Sequence, residues 1–171
     1  MSESISAVTE TPAPEPDPTA DPPHDPTPID PGQQTDVVGD KDALSEAQAE
    51  LDRHRARWEA SSAEDYSFVL APICFCPQQL IDPVVIHVVG EVVTSVAYVE
   101  SGEAPEHDGF GRYVTIDGLF DTIQEAIDRE ASQVTVSYDP TIGYPTDARL
   151  DYDARMLDEE YMFTVSDYLK R

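Results

Sequence analysis

Residues 115–130 read TIDGLFDTIQEAIDRE, and this stretch decides the fold. The Thr115 hydroxyl can accept from a backbone amide of the first turn, as an N-cap does. Asp117 follows inside that turn, where negative charge suits the positive end of the helix dipole. Ile116, Leu119, Phe120, Ile123 and Ile127 then recur at spacings of three and four, the stripe of an amphipathic helix. Three strand patterns precede this helix and three follow it, so it divides the folded part of the chain into two similar halves.

Working back from Thr115, residues 100–113 hold Gly102, Pro105, Gly109 and Gly111 with few apolar residues, and read as a loop. Val92–Val99 and Val84–Val89 are apolar runs joined by Gly90-Glu91, a pair suited to a tight hairpin turn. Both faces of these two strands are largely apolar, so both are expected in the centre of the sheet. Tyr66, Phe68 and Leu70 alternate with Ser67, Val69 and Ala71, a strand that Pro72 is expected to interrupt. Leu44, Ala47, Leu51, His54 and Trp58 mark a first helix, capped by Asp40 or Asp42 and ending near Ser61-Ser62. On its outer side Glu50 can pair with Arg53.

Working forward, Val134, Val136 and Tyr138 begin a fourth strand. Asp139-Pro140 starts a turn that Gly143 can complete with positive φ. Thr146–Tyr152 returns as a fifth strand, residues 153–160 form an acidic connection, and Tyr161, Phe163 and Val165 alternate in a sixth. The expected fold class is α+β: two αβββ units building one antiparallel sheet, with both helices packed on one face. The alternative is a single helix-plus-sheet core with the second helix at one end.

The N-terminal 40 residues differ in kind. Between Thr11 and Gly32 there are nine prolines, and Ile29 is the only apolar residue larger than alanine. Such a segment buries too little apolar surface to offset its ordering entropy. It is expected to be a disordered, extended spacer over residues 1–40, followed by a domain over 41–171. The 171-residue chain carries 35 acids and 10 bases, a net charge of −25. Residues 1–40 contribute nine acids and no base, which leaves a balance of −16 for the domain. A surface of that sign repels nucleic acid and anionic lipid; it suits cations, basic partners or a salty medium. No apolar run is long enough for a transmembrane helix, and MSESISAVTE has neither the basic start nor the apolar run of a secretory signal. The chain is expected to meet a membrane only through an anchor absent from this sequence, with a cytoplasmic location as the alternative.

Several motifs share a familiar order. Trp58, Tyr66-Ser67-Phe68 and Cys74-Phe75-Cys76 lead to the Gly90 hairpin. Thr115-Ile116-Asp117-Gly118-Leu119-Phe120, Tyr138-Asp139-Pro140, Gly143-Tyr144-Pro145 and Asp158-Glu159-Glu160 follow. Over roughly residues 50–168 this resembles a bacterial domain-of-unknown-function family common in exported proteins and lipoproteins. The resemblance implies an extracytoplasmic domain and implies no activity.

The chemistry-bearing residues are few. Cys74 and Cys76 are the only cysteines. On a regular strand their Cα atoms would lie about 6.5–7 Å apart, at the limit for a bridge. Pro72 and Pro77 bracket the pair and favour a bent loop, in which a structural disulfide is expected; buried thiols and a redox pair are the alternatives. A zinc site would need further ligands, and His54 and His87 both read as packed histidines. Asp151 and Asp153 share a face if both lie on a strand. With Asp158 they form a candidate calcium site, against the plainer reading of an acidic sheet edge that discourages pairing. Asp139 is a candidate general base or, more simply, a turn cap. Tyr138, Tyr144, Tyr152 and Tyr161 are the candidate binding surface, provided they line an open face of the sheet. No nucleotide, hydrolase or zinc-protease motif occurs, and no cofactor is expected. The functional expectation is a monomeric, non-catalytic, extracytoplasmic binding module whose partner is a protein or a cell-envelope component.

Overall fold

The computed structural model describes residues 41–74, 80–105, 113–155 and 160–171. Helix α1 spans Lys41–Ala60 and α2 spans Ile116–Asp128. The strands are β1 (Tyr66–Ile73), β2 (Val84–Val89), β3 (Val92–Tyr98), β4 (Gln133–Tyr138), β5 (Pro145–Asp151) and β6 (Glu160–Lys170). They form one six-stranded sheet in the order β3-β2-β1-β6-β5-β4, with every neighbouring pair antiparallel. The element order is therefore αβββ twice, and the two units join where β1 meets β6.

The two units keep the same spatial order and carry their helices on the same side, yet their strands point in opposite directions. Superposing one on the other would require a reflection, which a chain of L-residues cannot supply. The repetition is one of element order and not of a rotated duplicate. Helix α2 carries the chain from one edge strand, β3, to the other, β4.

Each element forms for local reasons. Thr115 caps α2 with its hydroxyl accepting from the Gly118 amide at 3.2 Å. The first amide of the helix, that of Ile116, donates to the Tyr66 hydroxyl on β1 at 3.1 Å, so a core tyrosine satisfies one of the orphan donors of a helix start. Burial pushes the Tyr66 phenol well above its ordinary range. At the other end the Ala131 amide reaches back to the Ala126 carbonyl at 3.0 Å, with Glu130 in the left-handed region at φ +53, the geometry of a Schellman stop. Gly90 (φ +56) and Glu91 (φ +63) make the β2–β3 hairpin turn, and positive φ at both positions is what a type I′ turn requires. Asp139 closes the β4–β5 turn. Its carboxylate accepts from the Thr141 and Ile142 amides, each at 2.8 Å, and its carbonyl accepts from Gly143 at 3.1 Å. It acts as a turn cap.

The core lies between the helices and one sheet face. Leu51 and Trp58 from α1, Ile116, Leu119, Phe120 and Ile123 from α2, and Tyr66, Phe68, Leu70, Val84, Ile86, Val88, Phe163 and Val165 from the sheet are all buried. The helices run antiparallel and are tied by polar contacts at three levels. Gln48 and Gln124 exchange amide bonds at 2.7 and 2.9 Å; Arg55 pairs with Asp121; and the Trp58 indole donates to Asp117 at 3.1 Å. The expected Glu50–Arg53 pair is present on the outer side of α1.

Three expectations need correction. β3 is an edge strand, whereas its apolar composition suggested a central one; much of that apolar surface is exposed, including Val92 at 62%. Pro72 does not end β1, which runs on to Ile73 with Pro72 opposite Phe163. The ladder to β2 stops at Leu70, so beyond it β1 has one neighbour only and a missing amide is tolerated. The strand carrying Asp147 and Asp151 is β5, which lies between β4 and β6 and is not an edge. Asp40, an expected cap of α1, lies outside the described residues.

Candidate functional site

Because a strand alternates its side chains between faces, the registers define the side of the sheet that the helices leave bare. On β1 it presents Ser67, Val69, Ala71 and Ile73; on β2, Val85, His87 and Val89. Val69 lies opposite Val85, which lies opposite Ala97 of β3. On β6 a bulge at Asp167 (φ +51) turns Tyr168 into the core and leaves Leu169 on the bare face opposite Ser67. Ile73, Val89, Val92 and Leu169 are 47–62% exposed. The bare face is thus largely apolar over β1–β3 and the adjoining end of β6, apart from a polar row of Ser67, His87 and Ser95 across it. It becomes polar over β5 and β4, where Asp147, Arg149, Asp151, Thr135 and Ser137 stand.

The four candidate tyrosines are not on this face, which corrects the expected binding surface. Tyr138 is half-buried, stacked face to face on His54 at 4.2 Å and near Phe120. Tyr144 is buried and stacks on Tyr168 at 5.0 Å. Tyr161 packs on the core beside Phe163. Tyr152 packs near Ala126 and Leu150 with the Arg129 guanidinium 4.3 Å above its ring. Burial raises the phenol pKa of Tyr138, Tyr144 and Tyr152. Alternation shows which residues of one strand share a face, but not which face the helices cover.

Of the candidate calcium ligands, Asp151 ends β5, while Asp153 lies beyond the strand and accepts from the Arg155 amide at 3.0 Å and its guanidinium at 3.2 Å. These bonds hold the Asp153 carboxyl below its usual range. Asp158 lies outside the described residues. Among the described residues no group of three His, Cys, Asp or Glu side chains converges as a metal site would. Cys74 follows directly on β1; Cys76 lies outside the described residues.

A second feature was not read from the sequence. Helix α1 runs beside edge strand β4 and leaves a groove of ≈ 390 Å³ between them. Val134, Val136 and the Tyr138 ring line one side, and Ala47, Glu46 and Glu50 the other. Against Tyr138 and Glu50 of this lining lies His54, whose side chain is 12% exposed and 3.6 Å from Glu50. Burial, with the charges of Arg57 and Arg53, lowers its pKa against the opposing pull of Glu50. A histidine whose folded pKa lies below its unfolded value binds fewer protons when folded. Its contribution to stability is then complete above the unfolded pKa of about 6.5 and is lost as pH falls toward the folded one. As pH falls below about 6.5, His54→Phe is expected to lose less stability than the parent chain, measured as the difference in urea midpoint at each pH. Equal slopes for the two proteins would rule His54 out as the titrating group.

The architecture defines the class: an α+β domain with a helix pair on one face of an antiparallel sheet and a bare, half-apolar second face. Within that class the chain belongs to the family of unknown function DUF6174, whose family model matches residues 50–170. No curated protein and no solved structure matches the chain significantly.

Proposed function

We propose that this protein is a non-catalytic, extracytoplasmic interaction module, in which the Pro-rich N-terminal segment tethers the folded domain and the bare sheet face meets a protein partner or an envelope component. The observation that carries the reading is the apolar end of that face, where Val89, Val92 and Leu169 are exposed at the same end of the sheet, with Ile73 exposed further along β1. Apolar surface gathered in this way, with polar residues beside it, marks interaction sites. The acidity of the chain favours a partner with basic residues around its apolar contact. The extracytoplasmic setting rests on the resemblance of the sequence to exported proteins and on the composition of residues 1–40. A Cys74–Cys76 disulfide belongs to the same proposal, and it is supported by the absence of a free thiol among the described residues.

Val89→Lys with Leu169→Lys tests the surface. Both side chains are more than half exposed, so the double variant is expected to keep its melting temperature within a few degrees. It should lose most of the parent's binding of a fluorescent apolar dye and its cross-linking to envelope proteins. Cross-linking at the parent level would show that the bare face is not the contact surface.

A further inference from the structure

The groove beside β4 has the features of a strand-accepting site, and the inference drawn from it does not depend on the bare face. β4 is an edge strand whose ladder to β5 is regular from Gln133 to Ser137. Its sequence, QVTVSY, contains no charge and no proline. Folded proteins commonly guard an edge with lysine, proline or a bulge, because the unpaired amides and carbonyls are a template for another strand. The opposite edge, β3, carries such a guard: its ladder is broken by a bulge at Thr94, whose hydroxyl turns back to the His87 carbonyl at 3.2 Å. On β4 the register shifts only at its last residue, Tyr138.

Beside this open edge stands a channel with a distinct chemistry. Val134, Val136 and Tyr138 give it an apolar floor, and Glu46 and Glu50 on α1 give it an acidic wall, Glu50 being paired also with Arg53. A strand added to β4 would send alternate side chains into that channel. A lysine or arginine there lays its methylene stem on the floor and brings its charge to the glutamates. An acidic side chain would meet those same glutamates. The N-terminal segment of this chain, with nine acids and no base, does not fit this wall. A second copy would bring its own Glu46 and Glu50 and another net charge of −25.

We propose that β4 and the groove under α1 bind an extended basic peptide segment, with lysine or arginine at alternate positions, which pairs with β4 as a seventh strand. Backbone pairing supplies affinity in this mode of recognition, and the side-chain channel supplies selectivity.

The test uses the full chain and two labelled peptides, one alternating threonine with lysine and one alternating threonine with glutamate. Anisotropy is expected to show binding of the lysine peptide alone. Hydrogen exchange is expected to show slowed amides confined to Gln133–Tyr138. Glu46→Lys with Glu50→Lys should weaken binding at least about tenfold, with the fold checked by its urea midpoint because Glu50 also pairs with Arg53 and lies near His54. Binding without protection of β4, or binding that survives the double charge reversal, would mean ionic adsorption to an acidic surface and would overturn the proposal. So would no binding, or protection of β4 in the peptide-free protein caused by pairing between two copies.

Discussion

Gly143→Ala is expected to lower the stability of the domain by about 3–5 kcal/mol, a large part of the roughly 5–15 kcal/mol typical of a domain. Gly143 closes the β4–β5 turn at φ +92, where an L side chain is strained. A Cβ there would sit 2.5 Å from the His54 carbonyl oxygen and 3.2 Å from the Trp58 amide nitrogen, both backbone atoms of α1. Helix backbone cannot yield as a side-chain tip can, so the turn or the helix must move. Moving either disturbs the His54–Tyr138 stack and the Arg57 bond to the Pro140 carbonyl. Urea denaturation gives the measurement. A loss below about 1 kcal/mol, no more than an average substitution, would show that α1 and the turn are not in the close contact described.

Trp58→Ala is expected to cost about 3–5 kcal/mol. Trp58 is 3% exposed and meets the rings of Tyr66 and Tyr168 edge-on at 5.2 and 5.7 Å. Its indole N–H also satisfies Asp117 in the first turn of α2. One side chain therefore joins α1, α2 and the two central strands, and truncation removes packing and leaves a carboxylate unpaired. Trp58→Phe keeps one ring but loses the donor and part of the indole volume, and should cost roughly 1–3 kcal/mol, less than the alanine variant. Equal losses from the two variants would show that a single ring recovers none of the packing.

Local physics made much of this fold legible in the sequence. The Thr115 cap, the Ile116–Ile123 stripe, the Gly90-Glu91 turn and the Asp139–Gly143 turn all depend on residues within a few positions of one another, and all stand where the pattern placed them. Strand order was not legible. β1 and β6 meet across more than a hundred residues, as Tyr66 pairs with Lys170, and alternation says nothing about which strand lies beside which. The same blindness misplaced the candidate site. Tyr138 and Tyr161 alternate correctly, but only the path of the helices decides that their side of the sheet is the covered one. The groove beside β4 was invisible for that reason too. Glu50 read as part of the outer side of its helix, and Val134 and Val136 as ordinary strand residues, until the fold set them opposite each other.

The pairing of β1 with β6 also bears on the order in which the domain is made. During synthesis β1, β2 and β3 emerge as a meander whose inner strand has no partner on one side. That partner is supplied only when residues 160–170 have left the ribosome. Closing so long a loop is slow, and until it closes Tyr66, Phe68 and Leu70 stand beside an open ladder. The growing chain is therefore committed to its native sheet late, when β6 arrives.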